Sequence, residues 1–252
     1  MSRLILVRHG QSKWNLSNRF TGQIDVSISN HGVGQCLYLG EKVKSIPLDC
    51  AFSSCLNRSK ETLSIILSQT ERSGVYIDES LGGLRAEKTK KYVSRLTDIP
   101  IYTNCLLNER HYGLLEGMDK NEAREKYGEK KVFAWRRSFL AKPPRGESLE
   151  DVFHRTIPFF KKRIIPLLQE GKNVIVSAHG NSLRAIIKYI ENISEEKISF
   201  LEIYTGQMIV YHYEDERFVS KLEKLSFKRP ITWEKWGKIF RPRSVINGEE
   251  GE

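Results

Sequence analysis

The chain has little of what would mark a secreted, zinc-bound or membrane protein. Its four cysteines (Cys36, Cys50, Cys55 and Cys105) form no C-x-x-C pair, so neither a disulfide framework nor a zinc knuckle is indicated. The longest early apolar run, Leu4-Ile5-Leu6-Val7, is too short for a signal-peptide core, and no stretch approaches a membrane span. Neither a repeat with a period of about 20–50 residues nor a low-complexity tract occurs. These absences point to a soluble, cytoplasmic protein of a reducing compartment. What the chain does have is enough apolar sequence to bury a core: 39% hydrophobic against 29% charged over 252 residues. That excludes a disordered or collagen-like polymer and suits one large α/β domain.

The net charge of +10 is unevenly placed. Arg85, Lys88, Lys90, Lys91 and Arg95 face only Glu87 within 84–95, and six lysines and arginines face only Glu234 within 226–243. Outside these two segments the chain is close to neutral, so an evenly basic surface is excluded. Each segment reads as solvated peripheral charge, and neither a nucleic-acid nor a membrane partner is expected.

Strand and helix patterns alternate. Leu4-Ile5-Leu6-Val7 and Val174-Ile175-Val176 are continuous apolar runs, as in strands buried on both faces of a parallel sheet. Residues 49–53 read as another short strand. Helices are predicted over 31–45, stopped by Pro47, and over 57–71, 148–169 and 182–192, with Pro158 and Pro166 dividing the third. Residues 208–213 and 218–222 read as a closing hairpin. Residues 72–104 read as an inserted arm with possible short strands, and 226–252 as a tail outside the core. The fold class is therefore α/β, a mainly parallel sheet with helices on both faces, in a single catalytic domain over 1–225.

Two units some 170 residues apart end alike. Leu4 to Val7 runs into Arg8-His9-Gly10-Gln11-Ser12, and Val174 to Ser177 runs into Ala178-His179-Gly180-Asn181-Ser182. In a parallel sheet both histidines reach the carboxyl-end rim, where open α/β sheets bind ligands. Glycine after each histidine lets a ligand approach the backbone and leaves an N–H for an anion. Histidine pairs also bind metals, but Arg8 and Arg58 at the same rim would repel a divalent cation. They would instead hold a phosphate and keep the imidazoles neutral and nucleophilic.

Further pieces extend this pattern: Ser12 and Asn15, Phe20-Thr21-Gly22, Arg58 after Ser53-Ser54, Asn108-Glu109-Arg110-His111-Tyr112-Gly113, Lys120, Trp135-Arg136-Arg137, Pro143-Pro144 and Gly146-Glu147-Ser148. Over roughly residues 2–71 and 105–213 the chain resembles the histidine phosphatase superfamily, and within it the cofactor-dependent phosphoglycerate mutase branch. The resemblance implies interconversion of 2- and 3-phosphoglycerate, primed by 2,3-bisphosphoglycerate and needing no metal. It implies that His9 becomes phosphorylated, that Arg8, Arg58 and His179 bind the transferring phosphoryl oxygens, and that Glu109 is the general acid/base. It assigns Arg110, Tyr112, Lys120, Arg136 and Arg137 to the anionic end of the substrate. Ser12, Asn15, Thr21, Gly22, Gly180 and Asn181 line the rest of the site. A homo-oligomer, with a dimer favoured, is also implied.

The chain departs from the family in three places. Only Arg145-Gly146 separates Pro143-Pro144 from Glu147-Ser148, where many members carry a long segment. Residues 72–104 are long for the family. The tail has no counterpart, although Trp233, Trp236, Ile239 and Phe240 suit an amphipathic patch packed on the body or on another subunit. The alternatives are a phosphomonoester phosphatase on the same scaffold and a non-catalytic relative that binds a polyanion.

Overall fold

Strand β1 (Ser2–Arg8) sends neighbouring side chains to opposite faces of a sheet, and in the computed structural model both faces are covered. Leu4 and Leu6 join one apolar cluster with Ile157, Phe160, Leu183 and Ile187. Ile5 and Val7 join another with Cys36, Leu39, Leu63 and Ile66. The structure describes residues 1–78 and 98–226.

The other strands among these residues are β2 (Cys50–Ser53), β3 (Gly74–Asp78), β4 (Ile99–Thr103), β5 (Val174–Ala178), β6 (Gln207–Glu214) and β7 (Arg217–Ser226). They form one sheet in the order β3-β4-β2-β5-β1-β6-β7. The first five in that order are parallel, while β6 runs antiparallel to β1 and β7 to β6. Asp215 and Glu216, both at positive φ, turn the β6–β7 hairpin in the manner that matches strand twist.

Helix α1 (Lys13–Leu16) follows β1, and α2 (Asn30–Val43) is capped by Ser29 and ends before Pro47. Helix α3 is Asn57–Leu67. Helices α4 (Lys120–Tyr127) and α5 (Glu129–Arg137) form a short pair, with Ala123, Val132 and Trp135 buried beside Phe20. The predicted 148–169 helix is divided as its prolines demand. It comprises α6 (Leu149–Phe159, containing Pro158), a π-helical turn over Phe160–Ile164, and α7 (Ile165–Gln169), with Pro166 in its first turn. Helix α8 (Gly180–Ile190) starts directly after His179, and α9 (Glu195–Ile198) precedes β6. No described helix is long and apolar enough to cross a membrane.

The possible short strands of the predicted arm are sheet strands at its flanks: Gly74–Asp78 pairs in parallel with Ile99–Thr103, which pairs with β2. Ile99, Ile101 and Thr103 alternate inward, a period-2 pattern. The basic stretch within the arm, and the tail with Trp233, Trp236, Ile239 and Phe240, lie outside the described residues. One expectation needs correction, and it concerns cysteine. Cys55 and Cys105, with Cα atoms 5.1 Å apart, are joined as a disulfide. Parallel pairing of Ser53 with Thr103 brings together two residues that are far apart in sequence, which linear spacing cannot reveal.

Candidate active site

The site is built where parallel strands end. Arg8 lies opposite Ala178 in the β1–β5 register, and the His9 amide donates to the Ala178 carbonyl at 3.0 Å. The two histidines that follow are therefore neighbours, with ring centroids 5.0 Å apart and both rings buried. Nδ1 of His9 lies 2.7 Å from the Gly10 carbonyl, which can only accept. The ring proton is thus on Nδ1, and Nε2 keeps its lone pair. Burial, reinforced by Arg58 and then Arg8, holds His9 well below the usual imidazole range. Burial and Arg58 do the same for His179. Two neutral imidazoles beside two guanidiniums are arranged for an anion.

His179 is held differently from His9. Its Nε2 is 2.7 Å from Ser54 Oγ, and its Nδ1 is buried without a partner among the described residues. Arg58, in the first turn of α3, donates to the Gly22 carbonyl at 2.7 Å and to the Ile24 carbonyl at 2.8 Å. Burial pushes it down to about 10. Arg8 donates to the Ile203 carbonyl at 2.6 Å. Nε of both arginines and Oγ1 of Thr21 are buried without partners among the described residues. Buried polar atoms rarely remain unpaired, and together this donor set fits the oxygens of a phosphorylated ligand.

Glu109 follows a 3-10 turn (Cys105–Leu107) after β4. Its Oε1 accepts from the Arg110 amide at 2.8 Å, the Asn181 amide at 3.1 Å and Asn181 Nδ2 at 2.9 Å. Three donors fix that oxygen and leave Oε2, close to Gly180, for exchange. Tyr112 carries the Arg110 guanidinium over its ring, 4.7 Å from the centroid, and its hydroxyl meets Arg110 and Asn181. Burial alone would raise the phenol, but Arg110 and these hydrogen bonds bring it below its ordinary value.

One cavity of about 120 Å³ joins these groups. Its wall takes in Arg8, His9, Asn15, Thr21, Gly22, Arg58, Glu109, Tyr112, Lys120, Arg136, Arg137, Gly180 and Asn181. Ser12, Arg110 and His179, each fully buried, stand behind that wall. The Ser12 hydroxyl accepts from the Asn15 amide while Asn15 Oδ1 accepts from the Ser12 amide, a reciprocal cap on α1. Of the two glycines, Gly10 differs from expectation. The Gly10 N–H is taken by Thr62 Oγ1 at 2.9 Å, so it is not offered to an anion. A Cβ at Gly10 would lie 2.6 Å from the Gly32 carbonyl, so close packing against α2 is what demands glycine there.

Sequence reasoning passed over several wall residues: Arg19, Arg184, Glu202 and Ile203. Arg184 had a visible signal as a cation inside the apolar run Leu183–Ile187 of α8. It is 4% exposed and donates to Asn181 Oδ1 at 3.0 Å and to the carbonyls of Arg137 and Ile198 at 2.7 Å. Arg155, also missed, pairs with Glu147 and donates to the carbonyls of Asn108 and Glu109, bracing the Glu109 loop.

The chain matches the model of the histidine phosphatase superfamily (branch 1) over residues 4–82 and 83–225. It is 43% identical over 220 residues to the 2,3-bisphosphoglycerate-dependent phosphoglycerate mutase of Chlamydia muridarum, covering 86% of this chain and 96% of that protein. The enzyme of the same name from Methanosarcina acetivorans is 43% identical over 234 residues, covering 87% and 94%. Among solved structures, Mycobacterial hydrolase 1 superposes with a TM-score of 0.72 at 19% identity, covering 90% of this chain and all of that one. Bacillus stearothermophilus YhfR gives 0.68 at 24%, covering 87% and 95%. At such identities these structures speak for the fold alone. Sequence match, shared fold and a phosphate-suited rim converge: the chain belongs to the histidine phosphatase superfamily.

Proposed function

We infer that this chain interconverts 2-phosphoglycerate and 3-phosphoglycerate as a 2,3-bisphosphoglycerate-dependent phosphoglycerate mutase. The observation that carries the reading is the His9 imidazole, neutral and with Nε2 free, sharing one cation-lined cavity with Glu109. Nε2 of His9 attacks phosphorus, and the N–P bond forms as the bond to the leaving oxygen breaks. Glu109 protonates that oxygen. In the return half, Glu109 takes the proton from the acceptor hydroxyl, whose oxygen attacks the phosphohistidine and restores the neutral imidazole. Arg8 and Arg58 stabilise the phosphoryl oxygens throughout, each such preorganised donor being worth roughly 10²–10³ in rate. His179, its ring packed 5.0 Å from that of His9, keeps the nucleophile in place. Lys120, Arg136 and Arg137 hold the carboxylate of the glycerate, with Tyr112 and Asn181 between the two ends.

When bound, 2,3-bisphosphoglycerate supplies the phosphoryl group that loads His9. The unpartnered guanidinium nitrogens and the Thr21 hydroxyl suit such a polyanion. The proposed catalytic unit spans residues 1–225, working in the cytoplasm as a dimer. Enzyme mixed with the bisphosphate should gain an acid-labile phosphoryl adduct by intact mass, absent from His9→Ala. It should then form 2-phosphoglycerate from 3-phosphoglycerate only in the presence of primer. Release of inorganic phosphate alone would defeat the mutase in favour of a phosphatase.

A further inference from the structure

An anion-binding cavity seldom needs a carboxylate beyond its proton-transfer group, yet this one has Glu202 as well as Glu109. Glu202 Oε1 accepts from Arg137 Nη2 at 2.7 Å. The pair is partly open to solvent, with side chains 46% and 22% exposed, so it contributes little to stability. Arg136, the adjacent arginine, has no carboxylate partner among the described residues. Burial lowers it from its ordinary value, with Tyr112 and Glu202 acting only through space. The tandem arginines are therefore inequivalent, one unpaired and one already matched.

Glu202 also sits between the two ends of the cavity. The carbonyl of its neighbour Ile203 accepts from Arg8, which belongs to the phosphoryl end. The hydrogen bond from Arg137, with the fields of Arg137, Arg8 and Arg136, keeps the Glu202 carboxyl below its usual range, so it is charged where the enzyme works. A ligand carboxylate that reaches Arg137 must displace a like group. It exchanges one ion pair for another instead of gaining a new one.

We propose that Glu202 is a specificity-determining residue that competes with the ligand's carboxylate for Arg137. The competition holds down affinity for phosphorylated glycerates. It also gives Arg137 a partner whenever the ligand lets go, which a mutase requires because its bisphosphorylated intermediate must reverse its orientation between the two transfers. The proposal rests on the mutase reading.

The test is direct binding by calorimetry at fixed ionic strength, using 2,3-bisphosphoglycerate and inorganic phosphate. Glu202→Gln keeps the shape and removes the charge. It should lower the Kd of the bisphosphate by roughly fivefold and that of inorganic phosphate by less. Glu202→Asp should return the bisphosphate Kd toward the wild-type value. In an Arg137→Met background, Glu202→Gln should change the bisphosphate Kd by less than about twofold. An unchanged or higher Kd in Glu202→Gln, or an equal shift without Arg137, overturns the proposal. Either result leaves the mutase reading intact as long as wild type binds the bisphosphate and forms 2-phosphoglycerate. A wild type that does not bind the bisphosphate overturns both.

Discussion

The His9 unit and the His179 unit share the same local plan, a buried parallel strand, then histidine, then glycine, yet their atoms are spent differently. His9 gives Nδ1 to its own neighbour's carbonyl and keeps Nε2 free on the cavity wall. His179 engages Ser54 through Nε2 and stands behind the wall. Gly10 is squeezed against α2, and its N–H is consumed by Thr62. Gly180 opens α8 on the cavity itself, where a Cβ would find only ordinary contacts of 3.5–3.6 Å with Arg8 and Glu109. The difference teaches that a repeated motif supplies a position, while the neighbouring elements assign the task.

That comparison can be broken most sharply by removing each imidazole. His9→Ala should lower kcat by roughly 10⁵ or more and abolish the phosphoryl adduct. His179→Ala should lower kcat by roughly 10²–10³ and still load His9, though slowly. Equal losses of both adduct and turnover would make the two histidines equivalent. Quench-flow with intact-mass detection separates the cases.

The glycines sharpen it through stability. Gly10→Ala forces a methyl against backbone of α2, and thermal unfolding should show about 1–3 kcal/mol of destabilisation. Gly180→Ala should stay within about 0.5 kcal/mol in stability. Its effect belongs to catalysis, read as a change in KM, because its methyl would project into the wall near Glu109.

A smaller effect tests what the two units share. Both imidazoles lie well below their ordinary value of 6.5 in the folded chain. As pH falls below about 6.5, the unfolded chain takes up protons that the folded one refuses. Stability is therefore complete above that pH and declines below it, by up to about 1.4 kcal/mol per pH unit for each imidazole. Denaturant titrations across this range should show the slope, and His179→Gln should remove about half of it. A flat profile would mean that the rings titrate normally.

Much of the site was legible because its chemistry is carried by rare residue types at strand ends. His9 and Arg58 announce themselves by ring, charge and position after a strand, whereas Glu109 and Tyr112 were placed only by the resemblance of Asn108-Glu109-Arg110-His111-Tyr112-Gly113. Glu202 could not be placed, since a lone carboxylate after a short helix reads as solvated charge until Arg137 is seen beside it. Ser12 was assigned to the site by the resemblance, and the structure also gives it a second task, a reciprocal helix cap with Asn15 that the three-residue spacing allows. Strands β3 and β4 were legible only as possible short strands because each is five residues long.

From sequence alone come the apolar runs of β1 and β5, the breaks imposed by Pro47, Pro158 and Pro166, and the inventory of phosphate-binding groups. Each is a local property: burial of a run, the missing N–H of proline, the charge of a side chain. Tertiary structure alone decided which histidine keeps a free nitrogen, which glycine lines the cavity, which arginine of a tandem pair is already matched, and that Cys55 meets Cys105. Those outcomes depend on atoms contributed by distant segments. Sheet register and helix packing, not neighbours along the chain, bring them within hydrogen-bonding reach.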